Sequence, residues 1–340
     1  MDDSSTIKFV LSVNGDIWAE AVFPSGFVLP EMGYTLLDAS DGNIFLQALT
    51  NRDLGFGRLF RSNWNGTFFS YSLDNVNDDM RGHVDFEKLS GLKGVILANQ
   101  LENSMELQNG GSKALKTKIS YDDGHSWGTL KPPLRDSKGV EYKCTEGCSL
   151  HLHAFTERRD KRDTYSSPTS AGLMLGVGNV GEYLTDYNDG RTFMSRDAGF
   201  TWIELIDDAY MYEIADSGAI VILTNDETSS DTIKYHLQLD NFRYSINYGD
   251  DIQDLQISDK IGGGLLRATN IITEPSGTTS HLIVIGVIKG GTQDQKTALL
   301  HLDFSNVWSR DCALNDDNVK NDFEKWSFMN GTCQFGRKVL

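Results

Sequence analysis

The string Ser-x-Asp-x-Gly-x-(Ser/Thr)-Trp, intact twice and echoed three more times, constrains this chain more than any other feature. It stands complete at Ser120-Tyr-Asp122-Asp-Gly124-His-Ser126-Trp127 and at Ser195-Arg-Asp197-Ala-Gly199-Phe-Thr201-Trp202. Weaker copies lie at Leu11-Ser-Val13-Asn-Gly15-Asp-Ile17-Trp18, at Ser62-Asn-Trp64-Asn-Gly66-Thr-Phe68-Phe69 and at Ser245-Ile-Asn247-Tyr-Gly249-Asp-Asp251-Ile252. First positions at 11, 62, 120, 195 and 245 are spaced by 51, 58, 75 and 50 residues. A period of about 50 residues with several strands in each is the pattern of four-stranded propeller blades. In such a turn Ser and Asp accept backbone N–H groups, Gly takes the positive φ, and the closing aromatic packs between neighbouring blades. Gly15, Trp18, Gly66, Ser120, Asp122, Gly124, Trp127, Ser195, Asp197, Gly199, Trp202 and Gly249 are therefore expected to be structural residues.

The rest of the sequence agrees with an all-β fold. Runs such as Ile44-Phe45-Leu46, Gly94-Val95-Ile96-Leu97, Ala219-Ile220-Val221-Ile222-Leu223 and His281 to Val287 are rich in β-branched residues and bounded by Gly, Asn and Asp. One weak helical pattern, Glu87 to Leu92, is the exception. Apolar residues at 39%, with only 6 prolines, suit a packed core rather than disorder, and the 33 glycines beside Asp, Asn and Ser mark many tight turns. The one long interval, from 120 to 195, holds a cysteine pair and the charged stretch Thr156 to Asp163. That stretch is expected to be an exposed insertion loop.

A net charge of −17 repels phosphate backbones, which excludes nucleic acid as a partner and favours a basic ligand or a protein with a basic patch. The same charge also serves to keep a large surface soluble. No stretch reaches the roughly 18 to 20 apolar residues of a membrane span, and Met1-Asp2-Asp3-Ser4-Ser5 does not read as a signal peptide. Four cysteines fall in two pairs, Cys144 with Cys148 and Cys312 with Cys333, which favours small disulfide loops in an oxidising compartment. Free thiols, or a metal held with His151 and His153, are the alternatives. Asn65-Gly-Thr67 and Asn330-Gly-Thr332 are glycosylation sequons in turn-like settings.

The repeated turn is the Asp box, which sialidases and several other propellers share. Cys148-Ser-Leu-His-Leu-His153, Gly176-Val-Gly178-Asn-Val-Gly181, Asn75-Val with Val84-Asp-Phe-Glu-Lys88, and Asp322-Phe-Glu-Lys-Trp326 followed by Cys333-Gln-Phe-Gly336 together resemble the sortilin family. The nearest likeness is to the fungal vacuolar sorting receptors that carry carboxypeptidase Y, and it covers essentially the whole chain. The resemblance implies about five four-stranded blades of a ten-bladed β-propeller with Asp-box turns over residues 1–310. Residues 311–340 would begin the cysteine-rich module that follows the propeller. Such receptors are type I membrane proteins of the late Golgi and endosomes. The expected function is that of a luminal cargo-binding module, without cofactor or enzymatic activity, for soluble vacuolar hydrolase precursors such as carboxypeptidase Y-like cargo. Signal peptide, first blades, span and tail are not in this sequence, so the chain is expected to be a truncated product or a segment of a longer receptor. Pairing with a full-length receptor is one way it would act, and a nonfunctional relic is the alternative. Tyr34, in the strand Tyr34-Thr-Leu-Leu-Asp38, corresponds to a segment near the tunnel wall and is the one expected ligand contact. The basic wall residue used by sortilins for peptide carboxyl termini aligns imperfectly, on Thr6-Ile7-Lys8.

Two further patterns are weaker than they look. Gly176-x-Gly178-x-x-Gly181 matches a dinucleotide fingerprint, but no helix follows it, so it is expected to be a glycine-rich blade loop. A sialidase-type hydrolase is the alternative activity, needing a Tyr nucleophile with an acidic partner and several arginines. Arg52, Arg58 and Arg61 crowd one blade instead of converging from several.

Overall fold

Stretches rich in Phe, Leu, Ile and Val become strands that are buried on both sides. The computed structural model describes residues 8–307, apart from 13, 31–32, 41, 80, 159–163, 226–241, 246–251, 256–264 and 290–294. The chain divides into two compact units: Met1–Pro132 with Lys143–Arg159 and Gly178–Tyr187, and Pro133–Tyr142 with Asp160–Val177 and Asn188–Leu340.

In the first unit, β1 (Val10–Ser12) and β2 (Trp18–Glu20) form a two-stranded hairpin. An antiparallel meander follows, of β3 (Tyr34–Asp38), β4 (Phe45–Asn51), β5 (Phe56–Ser62) and β6 (Phe69–Asn77). It continues through the single pair Val76↔Gln100 into β7 (Phe86–Lys88), β8 (Ile96–Leu101), β9 (Leu115–Ser120) and β10 (Gly128–Thr129). Strand alternation sends neighbouring residues to opposite faces. Phe45 and Leu59 join Leu73, Val84, Ile96 and Ala98 on one face. Leu46, Ala48 and Phe60 join Phe69 and the partly buried Phe9, Phe23 and Phe27 on the other. Phe45, Leu46, Leu59 and Phe60 are fully buried, each side chain contributing about 1.5–3 kcal/mol.

A third sheet runs in the order β11 (Ser149–Leu152), β12 (Met174–Gly181), β13 (Arg191–Ser195) and β14 (Ile203–Ile206). In the second unit β15 (Tyr210–Ala215), β16 (Ile220–Asn225), β17 (Phe242–Ser245) and β18 (Gln253–Leu255) form another antiparallel four. β19 (Leu265–Ile272), β20 (His281–Lys289) and β21 (Gln295–Asp303) form a three-stranded antiparallel sheet. Met211, Ile220 and Ile222 pack with Leu266, Ile271, Leu282, Val284 and Leu302 as the core between these last two sheets.

The fold is thus almost entirely β, built from antiparallel strands in sequential order. Three local expectations differ. The weak helical pattern at Glu87 instead runs into β7, because Phe86, Glu87 and Lys88 pair with Ala98, Leu97 and Ile96. Among the described residues the sole α-helix is one turn, Ser104–Leu107. The glycine triad 176–181 is not a loop but lies within β12. There an added Cβ on Gly178 would sit 1.8 Å from the His151 carbonyl oxygen, so glycine is what lets β11 approach. In the charged stretch from 156, Thr156 and Arg158 are docked while Glu157 is exposed, and 159–163 lie outside the described residues.

Candidate functional site

The two complete Asp boxes fold identically. Ser120 Oγ accepts the N–H of Gly124 at 2.8 Å and donates to Asp122 Oδ1 at 2.9 Å. Asp122 Oδ1 in turn accepts the N–H of Ser126 at 2.9 Å, and its Oδ2 accepts the Ser126 hydroxyl at 2.7 Å. In the second box Gly199 N–H meets Ser195 Oγ at 2.9 Å, while Thr201 donates twice to Asp197, at 2.8 and 2.6 Å. Burial alone would raise the Asp122 carboxyl, but the bonds from Ser126 and Ser120 outweigh it and hold it below the usual carboxylate range. The turn takes positive φ at two successive residues, Asp123 and Gly124 (57° and 77°), and again at Ala198 and Gly199 (59° and 89°). Trp127 Nε1 donates to Ser72 Oγ at 3.3 Å on β6, and Trp202 is buried with Nε1 on the Gly199 carbonyl at 3.0 Å.

Two of the three weaker copies lie among the described residues and keep the turn with its Asp role moved by one residue, while residues 246–251 of the third lie outside them. Ser12 Oγ accepts from Gly15 N–H at 2.8 Å and Asn14 Oδ1 from Ile17 N–H at 3.2 Å. The turn is one residue shorter than a full box, and Trp18 stands 63% exposed instead of packed. At 62–69 the Asp role falls to Asn63, whose Oδ1 accepts the N–H groups of Thr67 and Phe68 at 2.9 and 3.1 Å. Gly15 and Gly66 take φ of 82° and 77°. Gly249 lies outside the described residues, as do Cys312, Asn330 and Cys333.

The signature motifs of the sequence meet in one buried polar network inside the first unit. Asp85 is fully buried; its Oδ2 accepts Asn77 Nδ2 at 2.7 Å and Asn99 Nδ2 at 3.2 Å, and its Oδ1 accepts the backbone N–H of Thr156 at 2.8 Å. Burial pushes the Asp85 carboxyl up, against the bonds from Asn77 and Thr156. Thr117 Oγ1 donates to Asn99 Oδ1 at 2.7 Å and accepts Leu152 N–H at 2.8 Å. Lys113 Nζ closes one side, donating to Asn77 Oδ1 at 2.7 Å, the Gly55 carbonyl at 2.8 Å and the Asp78 carbonyl at 3.0 Å. Two residues past Asp85, Glu87 pairs with the buried Arg158 at 2.9 Å, and Lys88 pairs with Asp38 at 2.8 Å. Thr156 and Arg158 are consequently held against the sheet, although Glu157 between them is exposed, and residues 159–163 lie outside the described residues.

Cys144 and Cys148 form a disulfide, and the nearby imidazoles are engaged elsewhere. His151 Nδ1 accepts Thr117 N–H at 3.2 Å, leaving Nε2–H for the Gly181 carbonyl at 3.1 Å. Burial lowers its pKa to about 4, so the ring is neutral at physiological pH. His153 Nδ1 bonds Glu157. Among the described residues no group of His, Cys, Asp and Glu is arranged to hold a metal.

A constellation with the outline of a sialidase site lies in the second unit. Tyr142 hydroxyl donates to Glu204, whose side chain is fully buried, and Arg191 Nη1 lies 3.1 Å from the same carboxylate. Ser137 adds two bonds to Glu204, at 3.1 and 2.8 Å. Burial pushes the Glu204 carboxyl up, against those bonds. The guanidinium charge is already committed, however, because its Nε also pairs with Asp207 at 2.9 Å. An arginine already holding two carboxylates has no surplus charge for an anionic substrate. The group clamps the 133–142 hairpin onto β13 and β14. Arg58 pairs with Asp74 at 2.5 Å and Arg61 contacts His125 at 2.7 Å, so these arginines are also occupied and diverge.

The surface of the first unit presents several large apolar side chains. Tyr34 is 40% exposed on β3, the terminal strand of its sheet, with its ring edge-on to Phe9 at 6.5 Å. Leu36 follows on the same face, also exposed, and Ile17, Trp18, Val28, Trp64 and Phe68 are exposed elsewhere in this unit. The basic candidate Lys8 is paired with Glu20 at 2.9 Å. Sequence reasoning had picked Tyr34 but missed Asn77, Asn99, Lys113 and Thr117, whose only signal was polarity within strand-like runs.

Comparison with known proteins adds an independent line. A family profile described as "Sortilin, neurotensin receptor 3" matches residues 1–262, and one described as "Sortilin, neurotensin receptor 3, C-terminal" matches residues 273–340. A protein of Mycosarcoma maydis named vacuolar protein sorting/targeting protein 10 is 41% identical over 340 residues, covering 98% of this chain and 22% of its own length. A protein of the same name from Debaryomyces hansenii is 38% identical, covering 99% of this chain and 21% of its own length. The chain thus spans about a fifth of the curated relatives it matches. Among solved structures, a GH74 enzyme of Niastella koreensis is 11% identical, covering 78% of this chain and 38% of its own, with a TM-score of 0.39. That likeness is too distant to bear on activity.

Proposed function

Because the chain belongs to the sortilin family, we propose that it is cargo-capturing substance of a sorting receptor, acting in the lumen of the late Golgi and endosomes. Its cargo is proposed to be soluble vacuolar hydrolase precursors of the carboxypeptidase Y kind. The observation that carries this reading is the coverage of nearly the whole chain by relatives named for vacuolar protein sorting. The site chemistry supports it. The polar clusters around Asp85 and Glu204 are closed by internal hydrogen bonds, whereas the exposed positions on β3 are apolar.

In this reading the sheets are blades of a ten-bladed propeller, with residues 1–310 in the blades and 311–340 opening a cysteine-rich module. Capture uses the β3 edge, where an extended peptide adds main-chain hydrogen bonds while Tyr34 and Leu36 grip its side chains. The net charge of −17 favours cargo with a basic patch. Coupling of capture to transport belongs to the receptor as a whole, and pairing of this chain with a full-length receptor is one route to it.

The test is retention of carboxypeptidase Y precursor by the secreted 340-residue chain on beads. Retention that falls about tenfold in Tyr34→Ala/Leu36→Asp, a loss of roughly 1.4 kcal/mol, is the expected result. A folded chain that retains no vacuolar precursor would overturn the proposal. Hydrolysis of a fluorogenic sialoside, abolished by Tyr142→Phe, would favour the hydrolase reading instead.

A further inference from the structure

The turn 62–69 has a feature that its imperfect Asp box does not require. Thr67 Oγ1 donates to Asn65 Oδ1 at 2.6 Å, and Thr67 N–H donates to the same oxygen at 3.3 Å. The hydrogen bonds that shape the turn run instead through Asn63, whose Oδ1 serves Thr67 and Phe68. Asn65 is thus held by its carbonyl oxygen, and among the described residues its Nδ2 makes no hydrogen bond. A substituent on that nitrogen removes no native interaction. Asn65 is partly exposed, and beside it Trp64 and Phe68 are 76% and 59% exposed. Two large aromatics flanking a tip of this kind are a liability for a soluble surface unless something covers them.

We propose that Asn65 carries an N-linked glycan, and that the glycan lies over Trp64 and Phe68. The inference rests on the luminal placement proposed above. In the covalent step Asn65 Nδ2 attacks the anomeric carbon of a lipid-pyrophosphate-linked oligosaccharide. The C–N bond forms as the bond from that carbon to the pyrophosphate oxygen breaks, the lipid pyrophosphate leaves, and the amide nitrogen gives up one proton to a base. No redox partner is needed. Thr67 supplies the hydroxyl of the acceptor triplet. Gly66, at φ 77° with an Ile44 methyl 2.9 Å from where its Cβ would be, folds the triplet into the turn that presents the amide. Sugar rings offer C–H faces that pack on aromatic rings, so a glycan rooted between Trp64 and Phe68 covers apolar surface that the polypeptide leaves bare.

The test is to express the full chain behind a secretory leader in a fungal host and treat it with peptide N-glycosidase in heavy-oxygen water. Peptide mass mapping then reports each asparagine separately, without any mutation. Heavy-labelled aspartate at position 65 is the expected result, with Thr67→Ala abolishing it and Thr67→Ser retaining it. Label at Asn330 with none at Asn65 would overturn the proposal. So would label at neither position. For the covering role, acrylamide quenching of tryptophan fluorescence is expected to rise after deglycosylation and to lose that increment in Trp64→Ala. Unchanged quenching would sink the covering role. Binding of carboxypeptidase Y precursor by the same preparation reports on the receptor reading independently: an occupied Asn65 in a chain that binds no cargo leaves this inference standing and that one fallen.

Discussion

The backbone N–H of Thr156 donates to the buried Asp85 carboxylate at 2.8 Å, across 71 residues of sequence. The bond fastens the segment after β11 to the strands that carry Asn77 and Asn99, so the motif Val84-Asp-Phe-Glu-Lys88 contributes an interior anchor. Replacing Asp85 by Ala strips the acceptor from Asn77, Asn99 and Thr156 at once. Each buried donor so orphaned costs about 1–3 kcal/mol, with incomplete additivity. Urea denaturation of the secreted chain should show a loss of about 3–5 kcal/mol. A loss below about 1 kcal/mol would mean that the network contributes little.

Gly178→Ala should be among the most damaging small changes in the chain. Its Cβ would lie 1.8 Å from the His151 carbonyl, a backbone atom that cannot swing aside. The expected cost is about 3 kcal/mol or more, seen as a lowered urea midpoint or loss of secretion. Gly128→Ala is the control, because its Cβ meets nothing within 4 Å, and it should change stability by less than about 0.5 kcal/mol. Equal effects at the two positions would refute the close-approach argument.

The depressed pKa of His151 makes a pH prediction with a definite sign. Its folded value of about 4 lies below the ordinary 6.5, so between those values the unfolded chain binds more protons than the folded one. The neutral ring's contribution is complete above about pH 6.5 and is lost progressively as the pH falls toward about 4. The full difference is worth roughly 3 kcal/mol. Comparing the urea midpoint at neutral and mildly acidic pH, for the parent chain and for His151→Gln, should show the acid loss shrinking in the variant. An undiminished acid loss would assign it to other groups.

The two complete Asp boxes should respond alike. Asp122→Ala and Asp197→Ala each remove the acceptor that holds the far side of the turn, at a cost of about 2 kcal/mol apiece. Ser126→Ala and Thr201→Ala lose one hydroxyl bond each and should cost about 1 kcal/mol or less. If either Asp variant proves neutral by thermal denaturation, the box is not the rivet its hydrogen bonds imply.

Local chemistry was what the sequence displayed most openly. Ser120, Asp122, Gly124 and Trp127 act within eight residues of one another, so spacing alone announced their turn. The weaker copies misled because the Asp role falls to Asn14 and Asn63, each one position off the template, and because the copy at 12–18 is one residue short, which leaves Trp18 exposed. The Asp85 network was invisible for a different reason. Asn77, Asn99 and the pair Lys113 and Thr117 come from three separate stretches, and polar residues in strands give no sign of whether they face water or one another. The stretch at Thr156 read as solvated because charge usually is, whereas Arg158 is neutralised by Glu87 from a distant strand. At the β3 edge the resemblance singles out Tyr34, a proposed contact, and gives no sign of the exposed Leu36 that shares its face.

Lys113 extends what that network means. Its ammonium sits among three oxygens at 2.7, 2.8 and 3.0 Å, doing what a coordinated ion does in many extracellular folds. A bound divalent cation would put the fold in equilibrium with the free ion, and its grip would vary with that ion's concentration. A cation tethered by its own backbone has no off-rate. The scaffold around Asp85 therefore keeps this crosslink through any change in calcium, and no chelator can draw it out.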